Sequence, residues 1–490
     1  MVQVPALALL AGVAALLGGC DRQPVGTVQV AVIGREPRMV DPATTPPGPG
    51  DALLLANVAQ GLVRFDARGQ IEPGLAERWN VSDDGLSYIF RLPAAAEWPD
   101  GRRISAHQIG RILRRHLGRT SRNPLKDSLG AVTEVVAMTD RVLEIRLGAP
   151  RPHLLQLLAQ PELALVREGF GTGPFSLVDE RGPAGELRLR RQVADPDEEE
   201  RREELWLRGS DAPAAVRAFA EGKLDLALGG TFNDLAVARG VRLRRGALRF
   251  DPVAGLFGLV PARSTGPLAV PELRRLLSEA IDRDALLAAL AVPGLAARAT
   301  VLEPRLDGLP DPAPPPWIAV PIGERRPELI ARSDTMFGSA ERPVVRVALP
   351  EGDGARLLLA RLSADWGLLG VQVEAAGPGK PADLRLSDAV APSTSPAWFL
   401  RTFRCTAAAM CNGQADELLD AARLAPVDAQ RGAFLAEAAR LIEADQLFIP
   451  IAAPVRWSLV SARIEGFAAN RFARHTLTRL EQRLDREGSE

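Results

Sequence analysis

Tyrosine, histidine, lysine and cysteine are all scarce in this chain, and each scarcity closes off some chemistry. Tyr88 is the one tyrosine among 490 residues, and His107, His116, His153 and His475 are the four histidines. The histidines are scattered, with no HExxH run and no partners at metal-ligand spacing, so no metal site is expected. Gly171-Thr172-Gly173 lacks the third glycine and the Lys-Ser/Thr of phosphate and dinucleotide loops, and reads as a tight turn entering a strand. No nucleophile-base pair stands out, and the expectation is a protein that is not an enzyme and uses no cofactor. Lysine occurs at 126, 223 and 380 alone, so nearly all of the 60 basic residues are arginine, set against 61 acidic ones. A net charge of −1 gives no electrostatic reason to expect a nucleic-acid partner.

Long apolar runs are also missing, with one short exception. From Val4 to Leu17 the chain is uncharged and apolar or small, which is too short for the ~20 residues of a membrane-spanning helix but suits a signal-peptide core. It ends in Leu17-Gly18-Gly19-Cys20, which resembles a bacterial lipobox, so residues 1–20 are expected to be a lipoprotein signal peptide with lipidation at Cys20. Asp21 resembles the signal that keeps such a lipoprotein in the inner membrane. Cys405 and Cys411 then remain as a pair, expected to bridge in an oxidising compartment in preference to two free thiols or a metal.

Length and pattern indicate several lobes of α/β type. At roughly 100–200 residues per domain, this length supports two to four. Strands are expected at Val28–Ile33, Leu86–Leu92, Val142–Leu147, Glu186–Arg191, Leu205–Arg208 and Leu224–Leu228. Helices are expected at Leu53–Leu62, Ala106–Leu117 and Pro213–Ala220, and from Pro271, with Asp282 capping the next one. Val344–Leu349, Gly354–Leu368 and Val371–Glu374 form a strand-helix-strand unit, expected to be parallel. Two helices, Ala415–Arg423 and Asp428–Asp445, precede strands at Leu447–Ile451 and Trp457–Val460. The acidic run Asp195–Glu204 reads as a solvated loop.

Several ordered segments resemble family 5 of the extracellular solute-binding proteins of peptide-type (oligopeptide, dipeptide, nickel) ABC transporters. They are Gly61-Leu62-Val63-Arg64-Phe65-Asp66, Pro73-Gly74-Leu75-Ala76-Glu77-Arg78-Trp79, Val81 to Tyr88, Trp98-Pro99-Asp100-Gly101-Arg102, Gly171 to Phe175, Glu221 to Asp225, Ala280-Ile281-Asp282-Arg283 and Arg463 to Asn470. The resemblance implies the type II periplasmic-binding-protein fold, with two lobes joined by a hinge and an extra third lobe. Lobe I would comprise 27–49, 169–264 and 455–485, the extra lobe 50–168 and the second lobe 265–454, with chain crossings near 262 and 455. It also implies a monomer that binds a small solute or short peptide between lobes and delivers it to ABC permease subunits from the periplasmic side of the inner membrane. An envelope-anchored sensory or interaction protein that keeps the trap without transport is the alternative.

In peptide-binding members of the family an acidic residue pairs with the peptide's ammonium. Setting Pro396 and Phe399-Leu400 on that pattern puts Pro392 in its place, with Asp388 the nearby acid. The expected ligand residues are Asp388, Trp398 and Arg404, with Glu36 and Arg38 after the first strand. On this reading, Asp388→Ala weakens ligand binding and leaves the thermal transition nearly unchanged.

Overall fold

The computed structural model describes residues 27–182, 185–193, 201–377 and 379–482. Residues 1–26, with the expected signal peptide and Cys20, lie outside them. Two large sheets and a smaller one organise the rest. The first has seven strands in the order 248–250, 456–460, 226–231, 27–33, 201–210, 187–193 and 176–178. The second has five, in the order 372–375, 344–348, 384–390, 255–261 and 449–452. A four-stranded antiparallel sheet (78–81, 87–91, 142–147, 132–139) and the hairpin 63–65/71–73 belong to the extra lobe.

Thr27–Ile33 is buried almost throughout because helices cover both of its faces. Val28, Val30 and Val32 pack with Leu53, Leu54 and Val58 on one side. Ala31 packs with Ala215 and Val216 on the other. The strand runs parallel to both 201–210 and 226–231. The unit near residue 344 forms as its pattern implies: Val344–Ala348 and Gln372–Ala375 pair in parallel and Asp353–Gly367 is the connecting helix. Trp366 on that helix is fully buried and donates its Nε1–H to the Leu277 carbonyl at 2.9 Å.

The glycines of Gly171-Thr172-Gly173 are explained by close approach. A Cβ on Gly171 would lie 2.3 Å from Ala59 Cα, and one on Gly173 would lie 2.4 Å from the Asn57 carbonyl oxygen. Thr172 accordingly sits where the chain crosses the end of the first helix, and strand follows at Ser176.

Three expectations change. The helix expected over 53–62 runs from Pro49 to Val58. Pro49 occupies its first turn, the buried Asp51 carboxylate accepts the Gly48 amide at 2.9 Å, and Gln60 takes a positive φ of 41° just past the end. The acidic run expected as a loop is strand from Arg201 onward, where Glu203 and Glu204 pair with Arg191 and Arg188 across the hairpin; residues 194–200 lie outside the described set. Finally, the first passage between the two large sheets falls between Phe250 and Gly255 rather than near 262. Gly255–Pro261 pairs with both 384–390 and 449–452, so it belongs to the second sheet. The return passage lies between Ala452 and Arg456.

Candidate ligand cleft

Between the two large sheets, and walled by the extra lobe, lies a cavity of about 460 Å3. Its floor is Trp457, 1% exposed, whose Nε1–H donates to the Thr231 carbonyl at 2.8 Å. The indole lies flat against its neighbouring strand because that strand offers glycine there: a Cβ on Gly230 would fall 2.1 Å from the ring. The second sheet contributes Val390, Ala391 and Pro392, followed by Trp398, which meets Phe399 edge-on at 5.0 Å. The strand 384–390 is flanked by 344–348 only at Leu384 and Arg385. Beyond Arg385 that edge has no strand partner among the described residues, and the Asp388 carbonyl accepts Arg456 Nη2 at 3.2 Å.

The charged groups of the cleft come from four distant segments. Arg456 Nη1 pairs with Asp388 Oδ1 at 2.8 Å, with the two side chains 16% and 18% exposed. Burial raises the Asp388 carboxyl above its ordinary value, with the Arg456 charge opposing and Asp234 adding to the rise. Asp251 accepts His475 Nε2 at 3.1 Å and the Asn470 amide at 2.9 Å. Arg474 bridges Gln160 Oε1 at 3.0 Å and Glu162 Oε1 at 2.5 Å. Gln160 in turn donates to the Pro392 carbonyl at 2.8 Å, tying the extra lobe to the second lobe. Two buried polar atoms of the lining have no hydrogen-bond partner among the described residues, Glu162 Oε2 and Ser458 Oγ.

The residues expected from sequence are distributed unevenly around this site. Trp398 lines the cleft. Asp388 lies behind it, engaged with Arg456. Arg404 lines a different cavity, between the extra and second lobes, and pairs with Asp420 at 2.6 Å. Glu36 and Arg38 are not among the lining residues of either. Glu36 Oε2 accepts the Gly209 amide at 2.9 Å, clamping its loop to the neighbouring strand, with Arg181 at 3.4 Å. Arg38 is held through its backbone, its amide donating to Asp51 Oδ1 at 2.9 Å, with the side chain exposed. Cys405 and Cys411 are joined, their Cα atoms 5.0 Å apart, in the turn between the helices 396–401 and 413–424. The cleft residues that sequence reasoning did not single out are Gln160, Glu162, Asp251, Arg456, Arg474 and His475.

A two-sheet molecule whose chain passes twice between the sheets, with a lined cavity at the junction, is a binding-protein architecture. Residues 70–324 match the middle region of the bacterial extracellular solute-binding proteins, family 5, and the chain belongs to that family. Family membership places it among solute-binding proteins, which are not enzymes. One relative, an Escherichia coli protein described as "Probable deoxycholate-binding periplasmic protein YgiS", is 31% identical over 129 residues, covering 23% of this chain and 24% of the relative. The Pseudomonas aeruginosa protein described as "Probable di/tripeptide-binding protein 5" is 24% identical over 491 aligned positions, covering 86% of this chain and 89% of the relative. The matched stretches span 24%, 38% and 49% of the length of the first three curated relatives. Among solved structures, the Haemophilus influenzae OppA complex with the peptide RPPGFSPFR superposes with a TM-score of 0.77 at 16% identity, covering 93% of this chain and 99% of that one. The mixed α/β periplasmic-binding-protein fold is thereby shown.

Proposed function

We propose that this protein captures a peptide or peptide-like solute in the cleft and delivers it to the permease subunits of an ABC importer. It works as a monomer on the periplasmic side of the inner membrane, held there by lipid on Cys20 after removal of the signal peptide. The observation that carries the reading is the cleft itself: an apolar floor and wall from Trp457 and Trp398, the strand end Val390 with Ala391 and Pro392, and two buried polar atoms without hydrogen-bond partners among the described residues. The backbone groups where the strand ends at Val390 can pair with an extended chain. A buried carboxylate oxygen without a donor calls for an N–H or O–H from the ligand. The relatives' printed ligands, di- and tripeptides, a nonapeptide and a bile acid, are organic solutes of that kind.

Glu162 takes the part that the family's pattern gives to the position of Pro392. Gln160, two residues before Glu162, bonds the Pro392 carbonyl, so the acid enters the same corner of the cleft from the extra lobe. Ligand favours the closed state by the difference between its contacts in the closed and open forms. Native mass spectrometry of gently purified protein should reveal a co-purified amine- or amide-bearing solute. Glu162→Gln should weaken its binding about tenfold. Wild-type affinity in that variant removes Glu162 from the site, and an empty cleft that no peptide pool fills removes transport.

A further inference from the structure

A second cavity, of about 360 Å3, lies between the extra lobe and the second lobe and shares no lining residue with the cleft. Leu117, Leu129, Leu419 and Leu435 give it an apolar side. Five arginines line the remainder, at 151, 401, 404, 423 and 431, together with Lys126. Two of the five are neutralised, Arg404 by Asp420 at 2.6 Å and Arg431 by Asp428 at 2.5 Å. The other three have no ion-pair partner among the described residues. Arg151 donates to the Pro150 and Arg423 carbonyls, each at 2.7 Å. Arg401 donates to the carbonyls of Ala397, at 3.2 Å, and Asp127. Two acids also line the cavity: Asp307, whose carboxylate is engaged by Thr394 Oγ1, and Asp127, which meets Arg401 through its backbone.

Burial lowers Arg151 and Arg401 to about 10, which leaves both cationic at neutral pH. His153 also faces this space, 6% exposed, its ring without a hydrogen-bond partner among the described residues. Burial first, then the charges of Arg151, Arg401 and Arg431, drive its ring down to about 3, so it is neutral and has one N–H to give. Arg151 and Arg401 are partly buried and hydrogen-bonded only to backbone carbonyls; Asp428 and Asp127 act on them at longer range, but no carboxylate among the described residues is in contact with either, so the close counter-charge that such burial ordinarily requires is missing. A planar oxyanion supplies it bidentately.

We propose that this cavity binds a small organic oxyanion, a carboxylate or phosphate ester with an apolar body, held by Arg151, Arg401 and Arg423 with His153 as a neutral donor. The volume is near the lower end of the range of about 300–1,000 Å3 for small-molecule sites, and the leucine side favours an apolar body over a bare inorganic ion. Arg151 comes from the extra lobe and Arg401 and Arg423 from the second, so occupancy fastens these two lobes together. The site stands independently of what the cleft carries.

The test uses the intact protein, with calorimetric titration and thermal shift at constant ionic strength, and phthalate, phenyl phosphate, inorganic phosphate and neutral phthalamide as probes. Saturable binding of phthalate or phenyl phosphate, stronger than that of inorganic phosphate and absent for phthalamide, is expected; whichever of the two binds more tightly identifies the oxyanion. Arg401→Gln should weaken binding about tenfold or more. Arg423→Gln, whose guanidinium makes no hydrogen bond within the protein, should weaken it severalfold without shifting the melting temperature of the ligand-free protein. Trp398→Ala should leave it unchanged, which separates this site from the cleft. Binding of phthalamide equal to that of phthalate, wild-type affinity in both arginine variants, or loss of anion binding in Trp398→Ala overturns the proposal.

Discussion

Replacing Asp388 by alanine distinguishes a ligand contact from a structural ion pair. The sequence pattern expects this change to weaken binding and leave the thermal transition nearly unchanged. The structure expects the reverse emphasis, because the Asp388 carboxylate is engaged at 2.8 Å with an arginine as buried as itself. Breaking a buried pair by removing one partner costs about 3–5 kcal/mol, chiefly from the stranded charge. Arg456 borders the cavity and keeps the carbonyls of Val455 and residue 388, at 2.9 and 3.2 Å, so part of that penalty is relieved. We therefore expect a loss of about 2–3 kcal/mol, which at the low end of roughly 2–4 °C per kcal/mol is a fall of about 4–6 °C in melting temperature. Asp388→Asn keeps a hydrogen bond to Arg456 and should lose about half as much. In a double-mutant cycle with Arg456→Met, urea unfolding should return a coupling of at least ~1 kcal/mol. A melting curve for Asp388→Ala that superimposes on wild type, with ligand binding gone, refutes the reasoning and returns Asp388 to the ligand.

Trp398→Ala should abolish or weaken solute binding by about tenfold or more while lowering the melting temperature little, since the indole is only partly buried; intrinsic fluorescence titration reads the first and thermal denaturation the second. Acidification should destabilise the fold through His116 and His153, whose rings burial depresses to about 4 and about 3. The unfolded chain takes up their protons below about pH 6.5 and the folded one does not, so stability falls as pH drops from about 7 to 5, by on the order of 2 kcal/mol for each. Urea midpoints at the two pH values check this, and a midpoint that does not move contradicts it. Reducing the Cys405–Cys411 bridge closes off no core and should cost about 2 kcal/mol by loop entropy, visible as a modest melting shift on adding reductant.

The elements most legible in sequence are those whose apolar period is clean. Ala106–Leu117 and Val142–Leu147 match their expected bounds residue for residue, and Asp282 caps its helix through the Ala285 amide at 2.9 Å. The second sheet was harder. Gly255–Pro261 reads Gly-Leu-Phe-Gly-Leu-Val-Pro, and its glycine and proline argue against a strand in isolation. Gly258 is there because a Cβ would fall 2.3 Å from the Ile449 carbonyl oxygen, a constraint set by residues nearly two hundred positions away. Missing that strand also misplaced the first crossing. In the cleft, Trp398 was accessible because it lies between Pro396 and Phe399-Leu400, in the segment that the family resemblance marks out. Glu162, Asp251, Arg456 and His475 were not, since each comes from a separate segment and no local spacing links them. Glu36 and Arg38 show the complementary case: charged residues just past a central strand can turn toward the cleft or away from it, and here the Gly209 amide holds Glu36 against the neighbouring strand while the Arg38 side chain stays exposed.

The order of strands in the first sheet also bears on when the protein can finish folding. Arg456–Val460 lies second from one edge, hydrogen-bonded on one side to Leu248–Phe250 and on the other to Leu226–Thr231. Until the residues after Ala452 arrive, those two strands have no neighbour to join them, and the tryptophan that floors the cleft is absent. Pairings of such long sequence separation form late and slowly. A growing chain of this topology therefore leaves its first sheet incompletely assembled until most of it has been synthesised.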